Sequence, residues 1–461
     1  MLKKLRKIGK LIVTGVLSAV MAVGVVGCAG EKPSNGQTLT VWVAGGLDAN
    51  YRANINKPNS GKAKLTKWLV ETFESQNEGV KLMLLDKGWG TALSENFVSV
   101  QGTKSAPDVI PGEVDFPLFA EAGRFLDITD EVQDILPDLA ASAQVPATLN
   151  GRTYGLSSSM SSLGLVVNKS ALKQAEIIND KGETINQTLL QGRIDPLKPA
   201  TFEDLLTICK EIQKKKPNTA IVMNAVKGYS AAFRALGYMR AAGGEILDGD
   251  EIVINSAANK RALELMREFA QYAPVGTTDS SLTDSQLVQK VLNGFAAYTI
   301  DNCDFYTWAS VQDDIVTAEI PQFADRVNEK RSNVLIGNCM YGVVSSTKNK
   351  DAAIKFVKFI ASEEYQLKAA EYNSSIPSNL KVMNSDAYKQ TKNYESLIPY
   401  LAPFNTNRYE TFSGLPAFKK NSTAMWNELS TLIEKVLMGN VNGSVSNLLS
   451  AAESKMKEYN A

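Results

Sequence analysis

Short apolar runs alternate with longer amphipathic stretches along most of this chain. Residues 38–43 alternate and then turn apolar, and 80–85, 106–110, 220–223 and 294–300 are further apolar runs of strand length. Between them, apolar positions recur three and four residues apart. Leu65, Trp68, Leu69 and Phe73 form one such set, and residues 93–100 another; Leu205, Leu206, Cys209 and Ile212 follow, then residues 262–272, then Ala353, Phe356, Val357 and Ile360. That spacing puts one apolar face on a helix. Thr201 precedes one of these sets with Asp204 three positions on, a capping-box pair that marks the helix start. Strand and helix in alternation predict βαβ units and an α/β architecture of mostly parallel sheets. The chain closes on two helices. One carries Met425, Trp426, Leu429, Leu432, Ile433, Val436 and Leu437, the other runs from Val445 to about Tyr459, and Gly439-Asn440 separates them. Residues 179–198 read as a polar insertion, and no internal repeat is visible.

Residues 150–170 break this regularity. Asn150-Gly151 is a turn pair, since both residues tolerate positive φ. Tyr154-Gly155-Leu156 starts a strand that is expected to dissolve at the hydroxyls Ser157–Ser159 and Ser161-Ser162. Residues 163–167 then form a continuous apolar run, as in a strand buried on both faces of a largely parallel sheet. A polar break inside a buried strand is costly unless the backbone there lines a cleft. On these residues alone, an ordinary loop between two strands is an equal alternative.

Composition narrows the classes. An apolar fraction of 44 % and a charged fraction of 21 % belong to a globular protein, and 461 residues exceed one core, so two domains are expected. The chain has no histidine, which removes Ser-His-Asp and Cys-His nucleophile systems and the commonest zinc ligand. No Gly-rich phosphate loop and no dense cluster of metal ligands is visible, so neither cofactor nor metal is expected. Residues 1–28 have the layout of a signal peptide: Lys3, Lys4, Arg6, Lys7 and Lys10, an uncharged apolar segment over 11–26, then Gly27-Cys28. The small residues before Cys28 resemble the bacterial lipobox, in which that cysteine is lipidated, and residues 29–37 read as a linker. Of the balanced 49 basic and 49 acidic residues, five basic ones lie in this leader, so the remainder carries a net charge of −5. Such a body shows no polyanion-binding character, and no nucleic-acid partner is expected. Beyond Cys28, three cysteines (Cys209, Cys303 and Cys339) cannot all pair; Cys209 falls on an apolar helix face, and a Cys303–Cys339 bridge stays open.

The phrase Gly151-Arg152-Thr153-Tyr154-Gly155-Leu156, with Leu165-Val166-Val167-Asn168-Lys169 after it, resembles the hinge-crossing strand of bacterial extracellular solute-binding proteins. These are the carbohydrate-binding family typified by maltose-binding protein. Pro107-Asp108-Val109, Leu126-Asp127-Ile128-Thr129, the segment from Asn338 through Tyr341-Gly342-Val343-Val344 to Asp351, Asn373-Ser374-Ser375-Ile376-Pro377 and the two-helix ending follow in the family's order. The resemblance implies a two-lobe periplasmic-binding-protein-like α/β fold joined by a hinge. Lobe 1 would comprise 38–160 and 338–375, and lobe 2 would comprise 161–337 and 376–461. It further implies a monomeric, lipid-anchored protein on the extracellular face of the cytoplasmic membrane. Such a protein captures a sugar or oligosaccharide without chemistry and hands it to ABC-importer permease subunits. A secreted carbohydrate-active enzyme, a sensory or adhesive lipoprotein, and a binding protein for a non-sugar solute are the alternatives.

A sugar site needs flat aromatic faces and polar groups of fixed geometry. Trp426 matches the family's stacking tryptophan, and Tyr229 and Phe233 occupy its other aromatic positions. Phe305 or Tyr306 stands where the family presents a loop aromatic; Trp89, Trp308 and Tyr341 lie at or near element ends. Asp48, Glu113, Asp115 and Asp301 fall on expected cleft loops. Gly112 and Ser161 stand where maltodextrin-type members carry an aromatic and an acid, which argues for a ligand other than maltose. Core packing is the competing role for each aromatic, Trp42 above all.

Overall fold

The structure, a computed structural model, describes residues 36–58, 60–112, 115–305, 313–404, 407–409, 418, 420–439 and 443–460. The candidates Cys28, Glu113, Tyr306 and Trp308 lie outside them. The chain builds β1 (Gln37–Val43), α1 (Gly61–Gln76), β2 (Val80–Asp86), α2 (Thr91–Val100), β3 (Val109–Gly112) and α3 (Phe116–Glu121). A hairpin of β4 (Thr148–Leu149) and β5 (Arg152–Thr153) turns at Asn150 and Gly151, both at positive φ (51° and 74°), as the Asn-Gly pair implies. Next come β6 (Gly155–Asn168), α4 (Phe202–Lys215), β7 (Ile221–Val222), α5 (Tyr229–Ala241) and the hairpin β8 (Leu247–Asp248) with β9 (Glu251–Ile252). After these follow α6 (Ala257–Ala270), α7 (Asp284–Leu292), β10 (Tyr298–Asn302), β11 (Ile315–Glu319) and β12 (Leu335–Val343). Helices α8 (Lys350–Ala361), α9 (Glu363–Asn373), α10 (Tyr394–Leu401), α11 (Ser422–Leu437) and α12 (Val445–Asn460) complete it.

The main sheet runs β2-β1-β3-β12-β6-β10-β7, with β11 also on β6. β1 lies parallel to β2 and β3, and β10 parallel to β7. The central pairings, β12 with β3 and β6, and β6 with β10 and β11, are antiparallel. The expected parallel character therefore holds for the outer strands only, because the chain runs back through the centre.

β6 corrects the reading of residues 157–162 as a break, since it is one strand of 14 residues. Its first half, to Ser162, pairs with β12 and its second half, from Leu163, with β10 and β11. The hydroxyls survive burial because they find partners. Ser157 Oγ donates to the Ser159 carbonyl (2.7 Å), Ser158 Oγ to the Cys339 carbonyl (3.0 Å) and Ser162 Oγ to the Tyr400 carbonyl (2.8 Å). Each such bond is worth only about 1 kcal/mol net, but leaving the group unpaired would cost about 1–3 kcal/mol.

The two halves of the sheet serve separate cores. Leu39, Val41, Leu65, Leu69, Phe73 and Phe356 pack together on the first half. Leu165, Phe202, Leu236, Phe269, Trp426 and Leu432 pack on the second. The capping box is formed, with Asp204 N–H donating to Thr201 Oγ1 (3.0 Å) and Thr201 N–H to Asp204 Oδ2 (3.1 Å). Cys209, Cys303 and Cys339 are all buried and unbridged, so the Cys303–Cys339 pairing does not occur. The insertion is anchored by a buried Leu189 and an Ile178–Thr184 bridge. Among the described residues no helix is long and apolar enough to cross a membrane.

Candidate functional site

A cavity of about 390 Å³ opens where the two halves of the sheet face each other. From the first half, the turn after β1 contributes Ala44, Gly45 and Gly46, the start of α1 contributes Lys62, and the loop after β2 contributes Trp89 and Gly90. From the second half, the start of α5 contributes Tyr229, Ser230, Phe233 and Arg234, α7 its first residue Asp284, and the end of β10 Asn302 and Asp304. Ser158 and Ser159 of β6, Cys339 and Tyr341 of β12, and Tyr365 of α9 complete the lining. Strand ends and helix starts converge here because, in open α/β sheets, the crevice outside the strands' C-terminal ends is where loops diverge.

Two cross-connections shape the cavity. Trp89 Nε1 donates to the Tyr229 hydroxyl, joining the two sides by an aromatic pair. Gly90 permits this approach: a Cβ there would stand 3.0 Å from Tyr229 Cε1, at a φ of +61° that side chains rarely adopt. Cys339 lies in the left-handed region (φ 57°) within β12. The β6 register continues on either side of it, Asn338 opposite Ser159 and Met340 opposite Ser157, while Cys339 itself leaves the ladder. Backbone strain of this kind concentrates at ligand sites and switch regions.

The charges are strongly organised. Arg234 (6 % exposed) donates through Nη2 to Asp301 Oδ1 at 2.5 Å, and Asp301 is itself only 3 % exposed. Its Nη1 lies 3.4 Å from Asp284 Oδ1. Asp284 also accepts from Asn224 Nδ2 (2.7 Å) and Ser230 Oγ (2.5 Å). Burial raises the Asp301 carboxyl above its ordinary value, against the opposing pull of Arg234. Burial also disfavours the Arg234 charge, but Asp301 and Asp284 outweigh it and the guanidinium stays protonated. Burial lowers the Lys62 ammonium, with Asp304 the main group working the other way. Tyr341 is held well above the usual phenol value, mainly by burial.

Of the residues singled out in the sequence, Trp89, Tyr229, Phe233 and Tyr341 meet in this cavity. Trp426 does not. It is 1 % exposed and packs in the second core, edge-on to Tyr229 (6.1 Å) and Phe418 (5.4 Å). The apolar stripe that identifies α11 carries Trp426 inward, so it supports Tyr229 from behind. Phe305 is likewise core, against Tyr400. Asp48 spends its carboxylate on Asn50 N–H (2.8 Å) and Asn54 Nδ2 (2.7 Å) and does not line the cavity. Ser161 is fully buried beside Cys303 (3.6 Å). Asp301 acts one layer back, through Arg234. Asp115 accepts from Ser94 Oγ and lines a smaller adjoining pocket that shares Trp89, Gly90 and Tyr229.

Sequence reading missed Arg234, Asp284, Lys62 and Tyr365. Arg234 left a signal, a lone charge in the apolar run of α5, where every residue from Ser230 to Ala241 is buried. The others are recruited by tertiary contacts and leave none.

A family model for bacterial extracellular solute-binding proteins matches residues 68–396, well over half of the chain. The chain belongs to that family. Solute-binding proteins of this family capture and release; they are not enzymes. A curated relative, the diacetylchitobiose binding protein DasA of Streptomyces coelicolor, is 25 % identical over 397 residues, spanning 80 % of this chain and 84 % of DasA. The GacH receptor of Streptomyces glaucescens, solved unliganded and with acarbose, is 18 % identical with a TM-score of 0.72, covering 92 % of this chain and 98 % of the receptor. Maltose-bound MalE3 of T. maritima gives 18 % identity and a TM-score of 0.72 over 91 % and 99 % of the two chains. The fold of this solute-binding protein is therefore the two-lobe periplasmic-binding-protein fold.

Proposed function

We propose that this protein is the substrate-binding component of an ABC importer, and that its cleft captures a saccharide or short oligosaccharide by lobe closure. The observation that carries the reading is the cavity itself. Trp89, Tyr229, Phe233, Tyr341 and Tyr365 offer aromatic surface, while Arg234, Asp284, Asn302, Asp304 and the Ser158-Ser159 pair offer polar groups held by their own networks. Aromatic faces suit the C–H faces of pyranose rings, and fixed donors and acceptors suit their hydroxyls. The saccharides bound by DasA, GacH and MalE3 support the same class. In this reading residues 38–160 and 338–375 move as one lobe, and 161–337 and 376–461 as the other. β6 and β12 cross between them, and Cys28 carries a lipid that keeps the protein at the outer face of the membrane, beside its permease. Closure buries the ligand and presents one conformation to the permease, a population shift driven by the ligand's preference for the closed state.

A thermal-shift screen against mono- and oligosaccharides tests this directly. A ligand at 100 times its Kd stabilises the folded form by about 2.7 kcal/mol. A panel of neutral and acidic sugars that leaves the melting temperature unchanged throughout contradicts the reading.

A further inference from the structure

The cavity is lined by two lysines whose ammonium groups no acceptor contacts among the described residues. Of its carboxylates, Asp284 accepts from Arg234, Asn224 and Ser230, and Asp304 accepts from Asn302 Nδ2 at 3.0 Å. Arg234 Nε has no hydrogen-bond partner either, but it is wholly buried and is not open to the cavity. The partly buried Lys62, at the start of α1, makes no side-chain hydrogen bond or ion pair among the described residues, although it lines the cavity. Lys227, exposed at the mouth on the other side, has none either.

Backbone N–H groups add further donors. Helices α1, α2 and α5 all start at the cavity, at Ser60, Gly90 and Gly228, and none has a side-chain cap. Helix α7, which also starts at the cavity, is capped by Thr283, and α8, α10 and α11 elsewhere lack a side-chain cap too, so the open starts add donors without by themselves marking out the cavity. Uncapped helix starts present N–H groups and partial positive charge. Asp304 offsets the buried charge of Lys62 from a distance, but no acceptor contacts the ammonium, so its N–H groups are left for a ligand.

From the Lys62 ammonium, which lines the cavity with no direct partner, and resting on the saccharide reading above, we propose that the ligand is an acidic saccharide. In this account Lys62 reads its anionic group, a carboxylate of the uronic-acid kind or a phosphate ester. The starts of α1 and α5 supply further donors. The neutral part of the ligand stacks among Trp89, Tyr229 and Phe233. Lys62 then stands as a binding residue that the free protein tolerates at a cost to its stability.

The test is calorimetric titration of the detergent-solubilised full chain with paired probes. Digalacturonate is set against its neutral galactobiose counterpart, and trehalose 6-phosphate against trehalose, for the parent, Lys62→Met and Lys62→Arg. One acidic member is expected to bind at least tenfold more tightly than its neutral partner, and the pair that discriminates identifies carboxylate or phosphate. Lys62→Met is expected to weaken that acidic probe by about 10- to 100-fold, the range for a lost hydrogen bond to a charged group. Lys62→Arg retains most of the affinity. The ligand-free Lys62→Met protein should melt no lower than the parent, which separates lost recognition from lost folding. Neutral sugars binding as tightly as their acidic partners, or acidic binding untouched by Lys62→Met, overturns the proposal while leaving saccharide capture intact. No response to any of the four probes overturns it, and the wider saccharide screen then decides saccharide capture separately.

Discussion

Replacing Trp426 separates a supporting role from a contacting one. Trp426 is 1 % exposed and lies among Met425, Leu429, Phe418 and Tyr229 in the second core. Truncating a packed tryptophan to alanine costs about 3–5 kcal/mol, through lost transfer energy and the cavity left behind. Its edge-on contacts with Tyr229 and Phe418 lie in the range where an aromatic pair adds about 0.5–1.5 kcal/mol. Its Nε1 is buried with no hydrogen-bond partner. Trp426→Phe removes that unsatisfied donor while keeping most of the ring, so it should cost far less than Trp426→Ala, within about 1.5 kcal/mol of the parent. Guanidinium unfolding followed by circular dichroism measures both variants. Calorimetric titration below the transition should show Trp426→Ala within a few-fold of parental affinity, reflecting only a loosened Tyr229. An alanine variant that unfolds like the parent yet loses binding tenfold or more would refute the core assignment and place the indole against the ligand.

Three further outcomes follow from the same geometry. Asp301→Ala leaves the buried Arg234 guanidinium with only the more distant Asp284 (3.4 Å) as counter-charge and should destabilise the protein by up to about 3–5 kcal/mol, with denaturant midpoints as the check; an unchanged midpoint would mean the pair is solvated. Tyr229→Phe deletes the hydrogen bond from Trp89 across the cleft, worth about 0.5–1.5 kcal/mol. The ligand-free protein should then be more open in small-angle scattering, and an identical profile argues against that contact in solution. Cys28→Ala should abolish lipid labelling in the producing cell, and normal labelling would remove the anchor from the account.

Helices were the most readable part of the fold, since a 3.6-residue apolar period survives without tertiary context. The Thr201–Asp204 cap and the stripe of Ala353, Phe356, Val357 and Ile360 both recur in the structure. β6 was harder, because serines look like an interruption until the carbonyls that accept from them are known. The same limit explains the site. Trp89, Tyr229 and Tyr341 sit at or near element ends, where a sequence already points to a cleft, and Phe233 was marked by its family position. Trp426 also sits near a helix start, but the inward face of α11 decides its role, and the family position alone could not. Lys62 and Asp284 become site residues only because distant helix starts meet, a property of the packing and not of any local pattern.

Lobe closure on a saccharide is most directly tested by small-angle X-ray scattering of the protein with and without a sugar that raises its melting temperature. The account predicts a smaller radius of gyration at saturating ligand, as residues 161–337 and 376–461 swing toward the rest about β6 and β12. Scattering profiles that superimpose with ligand bound and absent would contradict it.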